Sequence, residues 1–399
     1  MDFRYPPDAE ALRAEVRAWL AANLDRSLAG FSLRDELGPA LVERLRAWNR
    51  KLADAGWAAV SWPTAYGGRG ATVLETVVVA EEMARADAPG PINPIGLSNI
   101  APAIMQFGTE RQKAELLPRM LRGDDIWCQG FSEPNAGSDL ASVRTRAVLA
   151  ANGDFLVDGQ KVWTTLGPYA DWCELLVRTD ADAPPHKGLS ILLVDMKSAG
   201  IEVRPLRTIT GQDEFSEIFF AGVRVPADAL LGPLHGGWQV AMATLAHERA
   251  GIATLHLGVR KKIARLIAES RGAEPRTLAR VWMLGELMRI QSQRALSAAL
   301  AGAPAGPEGS LVKLTWSLVE DAVAAAAGAA LGPDANAGHW GTERVWVRAA
   351  SIAGGTTQVN KNIVAARLLG LPARRPASET ASARRAAGER SPSDAAKRG

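Results

Sequence analysis

Apolar residues recur at helical spacing at the start of the chain. Leu12, Val16, Trp19, Leu20 and Leu24 share one stripe, and Leu41, Leu45, Trp48 and Leu52 share another, so residues 8 to about 125 are predicted to be helical. Gly56 and the following Trp57-Ala-Ala-Val-Ser-Trp-Pro63 end the second helix, and Tyr66-Gly-Gly-Arg-Gly70 is a loop. The run Thr72 to Ala86 is apolar on most sides (Val73, Leu74, Val77, Val78, Val79), which predicts a buried helix. At residue 126 the pattern changes. Val143–Val148, Phe155–Asp158, Trp172–Arg178, Leu189–Asp195 and Glu217–Phe220 are strand candidates. Asn152-Gly153-Asp154 marks a hairpin, and Pro205, Pro226 and Pro233 supply punctuation. From residue 237 the helical period returns, over Trp238–Leu257, Thr277–Leu300 and Ser310–Leu331. Ala322 to Ala330 is nearly all small residues, which permits close helix–helix approach.

The chain's 399 residues exceed what one core usually serves. An all-β module between helical modules argues for an α+β protein of separately packed domains rather than a βαβ array. The predicted division is an all-helical domain at 1–125, a β-barrel or sheet domain at 126–236, a four-helix bundle at 237–372 and a tail at 373–399. The tail is rich in Ser, Ala, Arg, Glu and Pro and is expected to be disordered. Its seven Lys and Arg against three acidic residues more than account for the formal net charge of +3, so the body is near neutral and offers no nucleic-acid surface. Cys128 and Cys173 have no metal-ligand spacing, so neither a zinc site nor a disulfide framework is expected. The first residues carry no apolar leader, and no run approaches the roughly 20 apolar residues of a membrane span, which makes a reducing cytoplasm the default.

Candidate chemistry concentrates in Trp127-Cys-Gln-Gly-Phe-Ser-Glu-Pro-Asn-Ala-Gly-Ser-Asp139 and Gly159-Gln-Lys-Val-Trp-Thr-Thr165. A sheet presenting Ser132, Ser138, Trp163 and Thr165 near one edge would cover a flat aromatic ligand and supply short hydrogen bonds. Without a strand followed by G-x-G-x-x-G, a dinucleotide fold of the Rossmann kind is not supported. Gly354-Gly-Thr-Thr357 would start a last helix at Thr356 or Thr357; its free amides suit an anionic or electron-accepting ligand, or equally a plain cap.

The two strings together closely resemble the flavin-contacting signature of the acyl-CoA dehydrogenase family, and the resemblance runs from about residue 8 to Pro372. It implies FAD as cofactor and α,β-dehydrogenation of an acyl-CoA thioester to a trans-2-enoyl-CoA. In that reaction a desolvated carboxylate takes the α-proton, donors polarise the thioester oxygen, and flavin N5 accepts the β-hydride. By resemblance Phe131, Ser132, Trp163, Thr165, Thr356 and Gln358 contact the flavin, and Ser138 lies near the cofactor or the pantetheine. Core packing is the competing explanation for Trp163. Many members carry the base as a Glu just before Gly-Thr in the last motif, where this chain has Gly354. A minority place it in a Glu-Arg pair on the long helix of the third domain, where Glu248-Arg249 stands. Such a pair alone reads as a solvated ion pair. With Gly354 in the other slot, Glu248 becomes the candidate base, Arg249 its orienting or substrate-side neighbour, and the Gly354 amide a donor to the thioester oxygen.

Two departures bear on assembly. The family's Arg-x-x-Phe-Gly stretch aligns with Arg271-Gly-Ala-Glu-Pro275, and its Gln-x-x-Gly-Gly-x-Gly loop with Gly328-Ala-Ala-Leu-Gly-Pro333. Both missing elements serve a neighbouring subunit's FAD. The chain thus resembles one subunit of bacterial heterotetrameric acyl-CoA dehydrogenases acting on steroid side-chain and other bulky thioesters. A sister subunit is the expected partner, with a homotetramer as the alternative, and electron-transferring flavoprotein is the expected acceptor. Two other readings stay open: a non-catalytic chain that completes the FAD site of its partner, and a relative that works as a flavin-dependent monooxygenase.

Overall fold

The computed structural model describes residues 5–32, 35–250, 254–270, 274–301 and 307–372, with backbone alone at 247–250 and 299. Helices α1 (Pro7–Asn23) and α2 (Pro39–Asp54) bury the predicted stripes, with Val16, Leu20, Leu45, Trp48 and Leu52 inside. Helix α3 (Val73–Arg85) begins at a capping box between Thr72 and Glu75. Its burial is less complete than its composition predicts. Val77, Val78 and Val79 are inside, whereas Val73 is exposed because the first turn lies at the rim of the core. Helices α4 (Ala101–Phe107) and α5 (Glu110–Arg122) complete the N-terminal helical part.

An eight-stranded sheet follows: β1 (Trp127–Gly130), β2 (Arg146–Leu149), β3 (Phe155–Thr165), β4 (Trp172–Arg178), β5 (Leu189–Asp195), β6 (Ile201–Leu206), β7 (Phe215–Val225) and β8 (Leu230–Leu231). The order is β6-β7-β3-β2-β4-β5-β8, with β1 lying parallel to β4. β4 and β5 match the predicted strands, and the Asn152-Gly153-Asp154 hairpin joins β2 to β3. The first strand candidate shrinks to β2, with a 3₁₀ turn at Leu140–Ser142 before it. β3 and β7 run beyond their predicted cores.

The sheet's two faces serve two cores. Cys173, Leu175 and Val177 of β4 face the strands' own cluster, in which Cys128 and Cys173 are free thiols side by side in register. On the opposite face Trp127 stacks on Trp172 at 5.5 Å, beside Leu176 and the N-terminal helices. Helix α6 (Gly237–Ala250) also packs there through Val240 and Ala241.

The predicted segment Trp238–Leu257 falls on two helices, α6 and the start of α7 (Leu255–Glu269), with 251–253 outside the described residues. Helices α8 (Pro275–Leu300), α10 (Gly338–Ala350) and α11 (Thr357–Arg367) pack with α7 against the central α9 (Glu308–Leu331), whose Ala324, Ala326 and Ala327 allow close approach. The expectation about membrane-length runs needs correction, since Glu308–Asn336 reaches a mean hydropathy of 1.3 and is long enough to cross a bilayer. Its surroundings are other helices, the ordinary use of an apolar helix in a bundle core. The tail 373–399 lies outside the described residues.

Candidate active site

The two sequence strings meet at one edge of the sheet. Val162 donates its backbone N–H to the Ser132 carbonyl at 3.0 Å. Beneath them Lys161, 0% exposed, donates from Nζ to the Phe131 carbonyl at 3.0 Å and to Glu133 Oε1 at 2.8 Å. Glu133 also accepts from the backbone N–H groups of Arg144 and Thr145, at 2.7 and 2.8 Å. A Cβ at position 159 would sit 2.7 Å from the Thr145 backbone, so glycine there lets β3 close onto this loop. Burial pushes the Lys161 ammonium down to about 8 against the pull of Glu133. Burial raises the Glu133 carboxyl too, but the Lys161 charge and the hydrogen bonds outweigh it and bring it below its ordinary value. At neutral pH both are charged, and the pair locks the rim. Neither residue was assigned a role in the sequence reading. They lie 28 positions apart, one in each string, and no local pattern connects them.

Above this lock the backbone is strained. A register shift in the β3–β7 ladder between Lys161 and Thr164 turns Trp163 outward at φ 62. The indole is 57% exposed, touched edge-on by Phe215 at 5.7 Å. A tryptophan in the left-handed region with an open face is costly unless something uses that face. Beside it the Ser132 and Thr165 hydroxyls make no hydrogen bond among the described residues. A stacking face flanked by spare donors fits a planar ring with polar edges such as an isoalloxazine. Ser138 is not on the sheet; it lies exposed in the loop before the Leu140–Ser142 turn.

The last motif forms its own cluster. Gly354 and Gly355 adopt φ 64 and 85, a turn that only glycine enters freely. Thr356 caps α11 by accepting from Val359 N–H at 3.1 Å, and Asn360 Nδ2 donates to the Gly355 carbonyl at 2.8 Å. Gln358 is exposed. Among the described residues no hydrogen bond joins this cluster to the Trp163 edge. Glu248 and Arg249 lie on the last turn of α6, and their side chains, like Arg271, fall outside the described residues.

One turn before Glu248, Thr244 Oγ1 lies 2.7 Å from Oε1 of Glu174, which is 0% exposed in β4, and 3.3 Å from the Val240 carbonyl. Burial pushes the Glu174 carboxyl up to about 8, with only Thr244 and Gln129 pulling the other way. The sequence reading missed this carboxyl because strand periodicity cannot separate a buried Glu from an edge one.

The helical, sheet and helical architecture carries its sheet without the parallel βαβ array of a dinucleotide-binding fold. Sequence models of the acyl-CoA dehydrogenase N-terminal, middle and C-terminal domains match residues 6–124, 128–223 and 235–369. The chain belongs to the acyl-CoA dehydrogenase family and is an oxidoreductase of that class. It is 38% identical over 383 residues to acyl-CoA dehydrogenase IpdE1 of Mycobacterium tuberculosis, covering 92% of this chain and 98% of that one. It is also 38% identical to FadE34 of the same organism over 372 residues, which is 90% of this chain and 51% of FadE34. Among solved structures, the Tcur3481-Tcur3483 steroid ACAD aligns at TM-score 0.81 and 30% identity, covering 94% of this chain and all of that chain. The ChsE4-ChsE5 complex from Mycobacterium tuberculosis aligns at TM-score 0.76 and 28% identity, with 94% and 100% covered.

Proposed function

We propose that this chain is an FAD-dependent dehydrogenase converting a bulky acyl-CoA thioester to its trans-2-enoyl-CoA, with Glu248 as base. The observation that carries the reading is position 354. It sits in a left-handed glycine turn that supplies no carboxylate, while Glu248 lies on the last turn of α6, a helix packed on the sheet through Val240 and Ala241. FAD, when bound, supplies the hydride acceptor, and Phe131, Ser132, Trp163, Thr165, Thr356 and Gln358 would hold it. Glu248 takes the α-proton, Arg249 orients that carboxylate, the Gly354 N–H donates to the thioester oxygen, and Ser138 meets the pantetheine or the cofactor. The domain division at 125, 236 and 372 belongs to the same reading. Glu248→Gln is expected to keep flavin and to slow acyl-CoA-driven flavin reduction by orders of magnitude; an effect below about 10-fold removes Glu248 as base.

A dissimilar partner subunit is part of the proposal, with electron-transferring flavoprotein as acceptor. Large apolar side chains stand exposed on the bundle, Trp282, Met283 and Leu287 along α8 and Leu318 along α9. Two structural neighbours are named as pairs of dissimilar chains, and the steroid named for one suggests the substrate's bulk. The test is flavin per chain and molecular mass for the protein expressed alone. Colourless protein that gains FAD on co-expression with a sister subunit supports the partner, and a yellow single-chain tetramer refutes it. Should the partner supply a base and Glu248→Gln prove silent, the chain is the non-catalytic half.

A further inference from the structure

Among the described residues, the buried Glu174 carboxyl faces groups that carry no charge. It lies on the face of β4 that meets α6, between Trp172 and Leu176, opposite Gln129 of β1 and Leu193 of β5. Glu174 Oε2 and Gln129 Nε2 are both buried without a hydrogen-bond partner, and they are chemically complementary atoms on residues paired in register. Thr244 Oγ1 faces two oxygens, Glu174 Oε1 and the Val240 carbonyl, yet a hydroxyl carries one hydrogen. The Val240 carbonyl already holds the Thr244 backbone N–H inside α6, so an ionised Glu174 would take the hydroxyl on Oε1 and leave its charge buried with Oε2 unpartnered. A protonated Oε1 donates to Thr244 Oγ1, and the hydroxyl is then free to donate to the Val240 carbonyl in the common back-bond of helical threonine. Gln129 Nε2, turned onto Oε2, completes a directional chain from β1 through β4 into α6.

We propose that Glu174 is a neutral carboxylic acid that anchors α6 to the sheet through Thr244, and so positions the last turn of that helix, which carries Glu248. Glu174 touches no reacting atom in this arrangement and is a positioning residue. The consequence for catalysis rests on the reading of Glu248 as base; the anchoring does not. The alternative is that the carboxyl is only fill for the space between helix and sheet. An apolar residue of similar size would then serve as well or better, because an under-satisfied buried polar group is a net cost.

The experiment compares Glu174→Gln, Glu174→Leu and Thr244→Val in the full chain with its flavin bound. It reads single-turnover flavin reduction, KM, Tm and hydrogen exchange of the α6 amides. Glutamine reproduces the donor and acceptor pattern of the neutral acid and is expected to keep the rate within about 2-fold and the exchange protection intact. Glu174→Leu and Thr244→Val are expected to lower the reduction rate about 10-fold or more at unchanged KM and to speed exchange over 245–250, with Tm held or raised. Thr244→Val cuts the anchor from the helix side and leaves the sheet untouched, so it decides the matter should the leucine variant fold poorly. The proposal is overturned if Glu174→Gln is as damaged as Glu174→Leu, or if Thr244→Val leaves rate and exchange unchanged. Faster exchange together with a silent Glu248→Gln would keep the anchor and discard the base.

Discussion

The sheet rim and the glycine turn before α11 differ in how completely each is fixed within one chain. At the rim the Lys161–Glu133 pair accepts or donates at the Phe131 carbonyl and at the Arg144 and Thr145 amides, and the strain at Trp163 is held by that framework. The turn at Gly354 and Gly355 is fastened to α11 by Thr356 and Asn360 and to the end of α10 by the Thr357 N–H on the Ser351 carbonyl, in a bundle whose α8 surface leaves Trp282 and Leu287 exposed. The rim is preorganised by burial. The turn is held by short-range hydrogen bonds at an exposed end of the bundle, with Gly354 and Gly355 both exposed. A binding site divided in this way can hold its flat ligand's face with one chain's core and close the other side with a neighbour.

The largest way to break the contrast is Lys161→Met. It leaves the Glu133 carboxylate with backbone donors only, and removing one partner of a buried pair costs about 3–5 kcal/mol. Thermal unfolding should show the loss, and the flavin-to-protein ratio should fall with it. Lys161→Met combined with Glu133→Gln should recover part of the stability, and failure to do so would mean the pair is not the lock. On the bundle side, Trp282→Glu should leave Tm nearly unchanged and reduce the assembled mass on a sizing column, because an exposed position has little to lose in the isolated chain. A mass that stays constant would place the interface elsewhere.

A smaller effect separates the two regions by pH. The Glu174 carboxyl titrates at about 8 in the folded chain against an ordinary 4.5. Above 4.5 the unfolded chain releases this proton while the folded chain keeps it, so this group lowers stability progressively from about pH 4.5 to pH 8 and adds no further slope above. Among the described residues the groups facing it are Gln129, Thr244 and Leu193, none of them charged. Glu174→Gln has no proton to keep, so its Tm should rise relative to the unaltered protein across that window and run parallel to it below pH 4.5. Parallel curves throughout would mean the carboxyl is ionised or solvated.

Much of this was legible from periodicity. The stripes of α1 and α2 and the continuous apolar runs of β4 and β5 declare their elements because each element's burial is written in its own residues. β6 is different. Arg204 and Pro205 sit on an exposed edge strand whose ladder partner is β7, a pairing that no local window contains. β3 continues through Gln160 and Lys161 because a charged side chain is buried against a carboxylate 28 residues away. The roles given to Glu248, Ser138 and Gln358 come from resemblance, since nothing in their spacing distinguishes them from surface residues. The Glu174–Thr244 contact joins a strand to a helix 70 residues later and needed coordinates.

The sharpest test of the rim, with a small expected change in stability, is Trp163→Gly. A tryptophan that serves as a core anchor costs about 3–5 kcal/mol when truncated. Trp163 is exposed, and glycine relieves a left-handed backbone worth about 1 kcal/mol, while losing the edge-on Phe215 contact removes a similar amount. The two effects offset, so Tm should move by no more than a few degrees. Flavin affinity, measured by titrating the apoprotein, should weaken at least 10-fold, because the stacking face is gone. A large drop in Tm with unchanged flavin affinity would return Trp163 to the core. A large loss of affinity at constant Tm identifies the strain at φ 62 as one the fold maintains for its ligand.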